Sequence, residues 1–291
     1  MTRRLLVTFF LALMLLGLVP PSGHTATKSP DPFKSVRARL VKDGFPEEKV
    51  DIYFQEGLRL FAVKGVSGYF MHNEGKLNYG RFLTKSSLAT GRAYLKRHAA
   101  SLDAAEAAYG VDKEIITAVL MVETALGNYI GNQRVFKILA TLASLSDNTA
   151  KAHLWREVPP NRRISRKRFE KKTKDKAQWA YRELKALLTY SDQVGKDPRK
   201  FIGSYAGAMG IPQFMPSRIL QLGVDGNNDG VVDLYTHEDA IASVANYLRH
   251  FGWKPGIERK KAIKVLMRYN HSIYYANTLH DIMDALKKTT P

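Results

Sequence analysis

A mainly α-helical fold is predicted for this chain, and three features of its sequence predict it. Apolar residues recur at helical spacing through long runs, at 86–109, 112–126, 136–145 and 177–190. Glycines stand where two of these runs stop, Gly110 after the first and Gly127 after the second. The alternation of apolar and polar residues that marks a half-buried strand is scarce and short.

The first segment in chain order is not part of the fold. Arg3 and Arg4 precede an apolar run at 5–19, and Pro20, Pro21 and small or polar residues follow up to Ala26. This pattern predicts a cleaved secretory signal at 1–26, because the run is shorter than the roughly 20 residues that a membrane helix needs. The arginine pair matches a twin-arginine signal poorly, so ordinary export is expected. A polar linker at 27–31 leads to two short helices at 32–41 and 47–60, turned by Gly44, Phe45 and Pro46. They form a small helical N-terminal region, 27–75. The stretch 69–82 shows no clear period. Residues 76–291 read as one larger domain that contains the helical runs above, with a basic, insertion-like stretch at about 151–176.

Composition narrows the setting. A chain of 291 residues, 45% of them hydrophobic, can bury a full core without covalent help. It has no cysteine, so an exported form carries no disulfide and has no cysteine through which a lipid could be attached. The formal net charge of +18 falls to +16 if Arg3 and Arg4 leave with the signal. Much of the excess lies in Arg162, Arg163, Arg166, Lys167, Arg168, Lys171 and Lys172. Such a surface attracts polyanions without specifying which, and anionic wall material, nucleic acid and a merely solvated loop are the three readings. Export argues against nucleic acid. The eight histidines show no metal-ligand spacing, and no serine or cysteine nucleophile pattern or phosphate-binding glycine loop is present.

Residues 203–216, Gly-Ser-Tyr-Ala-Gly-Ala-Met-Gly-Ile-Pro-Gln-Phe-Met-Pro, read as the wall of a groove. Gly203, Gly207, Gly210, Pro212 and Pro216 set unusual backbone angles and permit close approach. Ser204, Tyr205, Met209, Gln213 and Phe214 mix hydrogen-bonding groups with flat or soft apolar faces suited to a sugar ring. Upstream, Glu123 shares a helix side with Ile116, Val119, Leu120 and Leu126, where a core residue is expected. Burial there would raise a glutamate pKa of about 4.3 and keep a proton available near neutral pH. A structural ion pair with one of the 45 basic residues is the competing account.

Taken together, these blocks resemble the membrane-bound lytic transglycosylase B family of peptidoglycan-cleaving enzymes. The resemblance rests on Val122-Glu123-Thr124 with Gly127, on 204–210 with 213–217, and on Asp225, Asn227, Asp229 and Gly230. Asp239, Ser243, Asn246 and Tyr247, then Phe251-Gly252-Trp253, and finally Tyr269-Asn270 with Ser272, Tyr275 and Ala276 continue it in family order. It covers roughly 75–286. It implies a lysozyme-like catalytic core, related to goose-type lysozymes, and cleavage of the β-1,4 bond between N-acetylmuramic acid and N-acetylglucosamine without water. The product would be a 1,6-anhydromuramic acid end. A hydrolytic muramidase and a non-catalytic wall-binding protein are the alternatives.

Carried over residue by residue, the resemblance makes Glu123 the acid and base, with Ser204 and Asn270 close to the reacting sugar. Tyr79, Met209, Gln213, Tyr247, Tyr269 and Tyr275 match cleft residues, Tyr79 through a looser alignment. For any one tyrosine, core packing is the plainer reading. No cofactor is implied for catalysis. Asp225, Asn227, Asp229, the carbonyl of Val231 and Asp233 follow a calcium-loop spacing, but Thr236 stands at the twelfth position, where a glutamate is usual. The family closes this metal loop, 225–239 here, with an aspartate that matches Asp239. Thr236 and Asp239 also read as a capping box for the helix that follows, and an aspartate-rich turn without an ion is the plainer account. The arginine pair common in the family between the Glu123 helix and Ser204 is replaced by the basic stretch, with only Lys174 and Lys176 near that place. A soluble periplasmic protein acting on glycan strands, alone or with wall-synthesising or lytic partners, is therefore expected.

Overall fold

The computed structural model describes residues 31–66 and 78–288, so the expected signal lies outside the described residues, as does most of the stretch without a clear period. From Asp31 onward the contacts form one unit. Helices α1 (Lys34–Lys42) and α2 (Glu47–Phe54) turn at Gly44, whose φ of 96° is left-handed. They bury Phe33, Leu40 and Phe54 in the same core as the later helices. The ring of Phe54 meets Phe136 edge-on at 5.2 Å.

The run expected as one helix at 86–109 is two, α3 (Lys85–Arg97) and α4 (Ala99–Tyr109). His98 leaves helical geometry between them, its ring against Tyr94 at 4.3 Å and His237 at 4.4 Å. Gly110, φ 63°, then ends α4 in the left-handed conformation. Helix α5 (Lys113–Thr124) follows and is apolar on nearly all sides, with every residue from Ile115 to Met121 buried. A helix hydrophobic all round belongs in the middle of a domain.

A two-stranded antiparallel ribbon, β1 (Gln133–Arg134) with β2 (Ile202–Gly203), brackets the next helices. These are α6 (Val135–Ser144), α7 (Asn148–Glu157) and the 28-residue α8 (Arg166–Gln193). Most of the basic stretch 151–176 is helix, which sets aside the reading of it as a merely solvated loop. Phe169, Thr173, Ala177, Ala180 and Leu184 form a thin buried stripe along α8, which packs against α6 and α9 (Pro216–Leu222). Flanking lysines and arginines obscure that stripe in the sequence. The fold ends with α10 (His237–His250), α11 (Arg259–Tyr269) and α12 (Ile273–Lys287), and α12 packs on both α5 and α11. Among the described residues, no helix is long and apolar enough to cross a membrane.

The N-terminus of α5 is tied to this C-terminal layer through one carboxylate. Asp112 accepts hydrogen bonds from Trp253 Nε1 at 2.9 Å and from Lys287 Nζ. Burial alone would raise this carboxyl, but the Lys287 and Trp253 contacts outweigh it and hold it below the usual range. Its contribution to stability is thus present above the unfolded pKa, near 3.9, and lost as pH falls through the depressed folded value. Asp112→Asn should cost about 1–3 kcal/mol at pH 7 in denaturant unfolding. The gap from wild type should close as the titration moves into acid, and a gap independent of pH would show that the charge plays no part.

Candidate active site

Helix α5 does not fade into a flexible loop at its end. Its end is fixed by three successive left-handed residues, Ala125 (φ 49°), Leu126 (φ 60°) and Gly127 (φ 87°), only the last of them glycine. The Ala125 N–H donates to the Met121 carbonyl and the Leu126 N–H reaches back to Leu120. The buried Thr124 hydroxyl accepts the Gly127 N–H and donates to the Ile211 carbonyl at 2.8 Å. This corner stops the helix one residue after Glu123 and locks it to the 203–216 segment.

Glu123 is partly exposed, and its Oε1 accepts a 2.5 Å hydrogen bond from the Tyr275 hydroxyl. Burial, reinforced by the negative charge of Glu123, pushes the Tyr275 phenol well above its ordinary value, so it remains a donor throughout the working pH range. Tyr269 stacks against Tyr275 with ring centroids 6.4 Å apart and planes 22° apart, and its own hydroxyl donates to the Pro212 carbonyl at 2.5 Å. Tyr79 lies close enough to Tyr275 to act on its titration. The structure thus gathers Glu123, Tyr275, Tyr269 and Tyr79 at one place.

The 203–216 segment forms a tightly folded wall. Met209 and Phe214 exchange backbone hydrogen bonds, and Ile211 N–H donates to Leu234. Ser204 Oγ accepts the amides of Ala206 and Ala208, so its O–H remains to be donated. Gln213 sits at φ 54°, a left-handed backbone rare for a side-chain-bearing residue, and its Nε2 donates to the carbonyls of Ile130 and Gly210. A partly exposed Asn270 ends α11, with its carbonyl accepting the Ser272 N–H.

Two expected cleft residues occupy another position. Met209 has no exposed surface, and Tyr247 is 4% exposed with its hydroxyl donating to the Arg268 carbonyl. They pack behind the wall, Tyr247 against Phe214 and Tyr269. Tyr275, also almost fully buried, reaches the site through its hydroxyl. Sequence reasoning missed Glu183, which is buried on α8 and accepts both the backbone N–H and the hydroxyl of Ser217, fixing the start of α9. Its signal was the one that singled out Glu123, an acid among the apolar Ala180, Leu184 and Leu187. Thr124 carried no such mark.

In the 225–239 loop, Asp225 accepts the amides of Asp229 and Gly230, Asn227 Oδ1 accepts Asp229 N–H, and Asp229 accepts Val231 N–H. The buried Asp239 accepts Gly226 N–H at 2.9 Å and Asp233 N–H at 2.6 Å, so it braces both ends of the loop. The capping box does not form. Thr236 Oγ1 donates to the Asp233 carbonyl, and Asp239 is drawn to the loop instead of the first turn of α10.

A helical, lysozyme-like core thus places the Glu123 carboxyl in the last turn of a buried helix, beside the Tyr275 hydroxyl and next to the glycine-rich 203–216 segment. The sequence profile of the Transglycosylase SLT domain family matches residues 31–265, and the chain belongs to that family. Membrane-bound lytic murein transglycosylase B of Escherichia coli K12 is 34% identical over 248 residues, 80% of this chain. That match spans 60% of the relative's length. Among solved structures, Slt35 of Escherichia coli in complex with calcium superposes with a TM-score of 0.66 at 25% identity, covering 89% of this chain and 93% of its own. SltB3 of Pseudomonas aeruginosa in complex with NAG-NAM-pentapeptide gives 0.69 at 21% identity, covering 88% and 79%.

The glycines of the wall allow a direct test of its geometry. Gly210 has φ +70°, and an added Cβ would stand 2.5 Å from the Leu234 carbonyl oxygen, whereas Gly195, φ +63°, has nothing within 4 Å. Gly195→Ala should therefore cost about 1 kcal/mol and Gly210→Ala at least about 2 kcal/mol in urea unfolding. Equal losses would show that close approach at Gly210 does not matter.

Proposed function

We propose that this protein is a lytic transglycosylase that cleaves the β-1,4 bond between N-acetylmuramic acid and N-acetylglucosamine in peptidoglycan and leaves 1,6-anhydromuramic acid. The observation that carries the reading is that, among the described segments around it, Glu123 is the one carboxylate. Glu123 lies in the last turn of α5 in contact with Tyr275, and the neighbouring wall segments 124–131, 203–216 and 269–276 contain no other acidic residue. Hydrolytic glycosidases generally need two carboxyl groups, one for the leaving oxygen and one for the incoming water or the anomeric carbon. One carboxyl suffices when the attacking group belongs to the sugar.

In the proposed reaction, Glu123 protonates the glycosidic oxygen, and the C1–O bond breaks as the muramic acetamido group stabilises the anomeric centre. The muramic C6 hydroxyl then closes on C1, and Glu123 takes its proton, so the enzyme returns to its starting state. The nucleophile is tethered, and its high effective concentration replaces an activated water. The Tyr275 hydroxyl orients the carboxyl and supports it when it is ionised. Ser204 and Asn270 orient the acetamido group, while Tyr79, Tyr269 and Gln213 form the surface against which the sugars rest. The apolar run at 5–19 supports export to the periplasm.

The donor set of the 225–239 loop suits a hard cation: carboxylates of Asp225 and Asp229, the Asn227 amide oxygen and the Val231 carbonyl on an exposed turn. Among the described residues, no three carboxylates of this loop converge within 4.8 Å. Those four would hold calcium, with Asp239 at the buried end. The ion would add rigidity to the turn that supports Ile211 through Leu234. Millimolar calcium should raise the melting temperature reversibly, EDTA should undo the gain, and Asp225→Ala should abolish it. An unchanged melting curve would leave the loop as a self-sufficient turn.

The activity is tested by mass spectrometry of purified sacculi digested by the protein beside its Glu123→Gln variant. Anhydromuropeptides from the first, with at least a thousandfold fewer from the second, are expected. Reducing muropeptides would make the enzyme a hydrolase, and no product from folded wild-type protein would make it a wall-binding protein.

A further inference from the structure

Among the described residues, the two most exposed large apolar side chains are tyrosines, and both stand in segments that adjoin Glu123. Tyr129 is 67% exposed in the turn that follows α5, and Tyr274 is 65% exposed in the first turn of α12, next to Tyr275. Ile273, beside Tyr274, comes third at 46%. Buried tyrosines are used differently. The hydroxyls of Tyr190 and Tyr247 donate to main-chain carbonyls, and that of Tyr275 to Glu123. Among the described residues, Tyr129 and Tyr274 have neither a hydrogen-bonded hydroxyl nor a ring partner.

Both rings are carried on braced backbone. The Tyr129 N–H donates to the Thr124 carbonyl at 2.9 Å, and Asn128 Nδ2 donates to the Ala125 carbonyl at 2.7 Å. On the far side, the Ile130 carbonyl accepts Gln213 Nε2, and Gly131 packs so closely that a Cβ there would stand 2.2 Å from the Gly203 carbonyl oxygen. Tyr274 sits in a capped helical turn, where Ser272 Oγ accepts the Tyr275 N–H and the Ser272 carbonyl accepts the Ala276 N–H. A tyrosine has only two side-chain torsions to lose, so an exposed ring on rigid backbone binds at small entropic cost.

The chemistry around the rings selects the ligand. Segments 124–131 and 269–276 contain no lysine, arginine or acidic residue, and next to the tyrosines they place Asn128, Asn270 and His271. A lipid surface or a polyanion would call for basic residues, which neither segment has. A sugar ring presents a neutral, amphipathic face. Its C–H groups suit an aromatic ring, and its hydroxyl and acetamido groups suit the neighbouring amides.

We propose that Tyr129 and Tyr274 are stacking platforms for sugars beyond the cleaved pair, so that this chain grips a glycan strand over more than the two units on which it acts. The inference rests on the transglycosylase reading for the identity of the glycan, though not for its test. Its consequence is a preference for long strands over isolated disaccharides. Exposed tyrosines also serve at protein interfaces, and the test separates the two roles.

The test uses the full Glu123→Gln protein, so that strands stay intact, and soluble peptide-free glycan strands of two and of about eight sugars, measured by calorimetry. The longer strand should bind at least about tenfold more tightly. Tyr129→Ala/Tyr274→Ala should bring the two affinities within about twofold of each other and leave the melting temperature within a few degrees, because neither ring is buried. Tyr129→Phe/Tyr274→Phe should keep the preference, because the ring face and not the hydroxyl makes the contact. High salt should also leave it in place, since neither segment carries a lysine, arginine or acid. Equal affinity for the two strands, loss of the preference in the phenylalanine variant, or its collapse in high salt would overturn the proposal. An unchanged preference in the alanine variant would overturn it too, and would assign the tyrosines to a protein partner. If sacculi yield no anhydromuropeptides while the alanine variant still abolishes the length preference, the reaction assignment fails and the strand-binding role stands.

Discussion

The structure turns on a conflict within one helix. Helix α5 is buried on nearly every side from Ile115 to Met121, yet its last turn carries the partly exposed carboxylate of Glu123. Thr124 resolves the conflict. Its hydroxyl satisfies one amide of the left-handed corner and one carbonyl of the facing wall, so the helix end, the wall and Glu123 take up a single arrangement. A buried hydroxyl that lost either partner would carry an unsatisfied polar group, so the arrangement is held by cost as well as by attraction.

Around that point the fold supplies rigid backing. Tyr269 and Tyr247 stand behind the groove with their hydroxyls bound to main-chain carbonyls, and Glu183 anchors the helix that follows the wall. Burial pushes the Tyr247 phenol up to about 12, so this brace stays uncharged and donating. Side chains satisfied in this way resist rotation, which holds the surroundings of the Glu123 carboxyl in a fixed geometry.

Much of this was legible in the sequence, for identifiable reasons. Glu123 stood out because an acid on an apolar helix face breaks the local pattern, and the glycines of 203–216 because so many small residues together permit unusual backbone angles, which Gly207 and Gly210 adopt with positive φ. The hidden parts depend on tertiary contacts. The basic residues of α8 conceal its buried stripe, His98 interrupts a continuous helical period where its ring meets the distant His237, and Thr236 forgoes its cap for the Asp233 carbonyl. Met209 and Tyr247 were placed on the groove surface because a residue's position in a motif does not reveal which side of a wall it faces.

The distances along the chain between bonded partners also bear on when the site comes into being. Thr124 and Ile211 are 87 residues apart, and Glu123 and Tyr275 are 152 apart. Contacts of such separation form late, after the cost of closing long loops has been met. A chain still emerging from synthesis therefore has its glutamate before it has either the wall or the tyrosine that fix the glutamate's geometry.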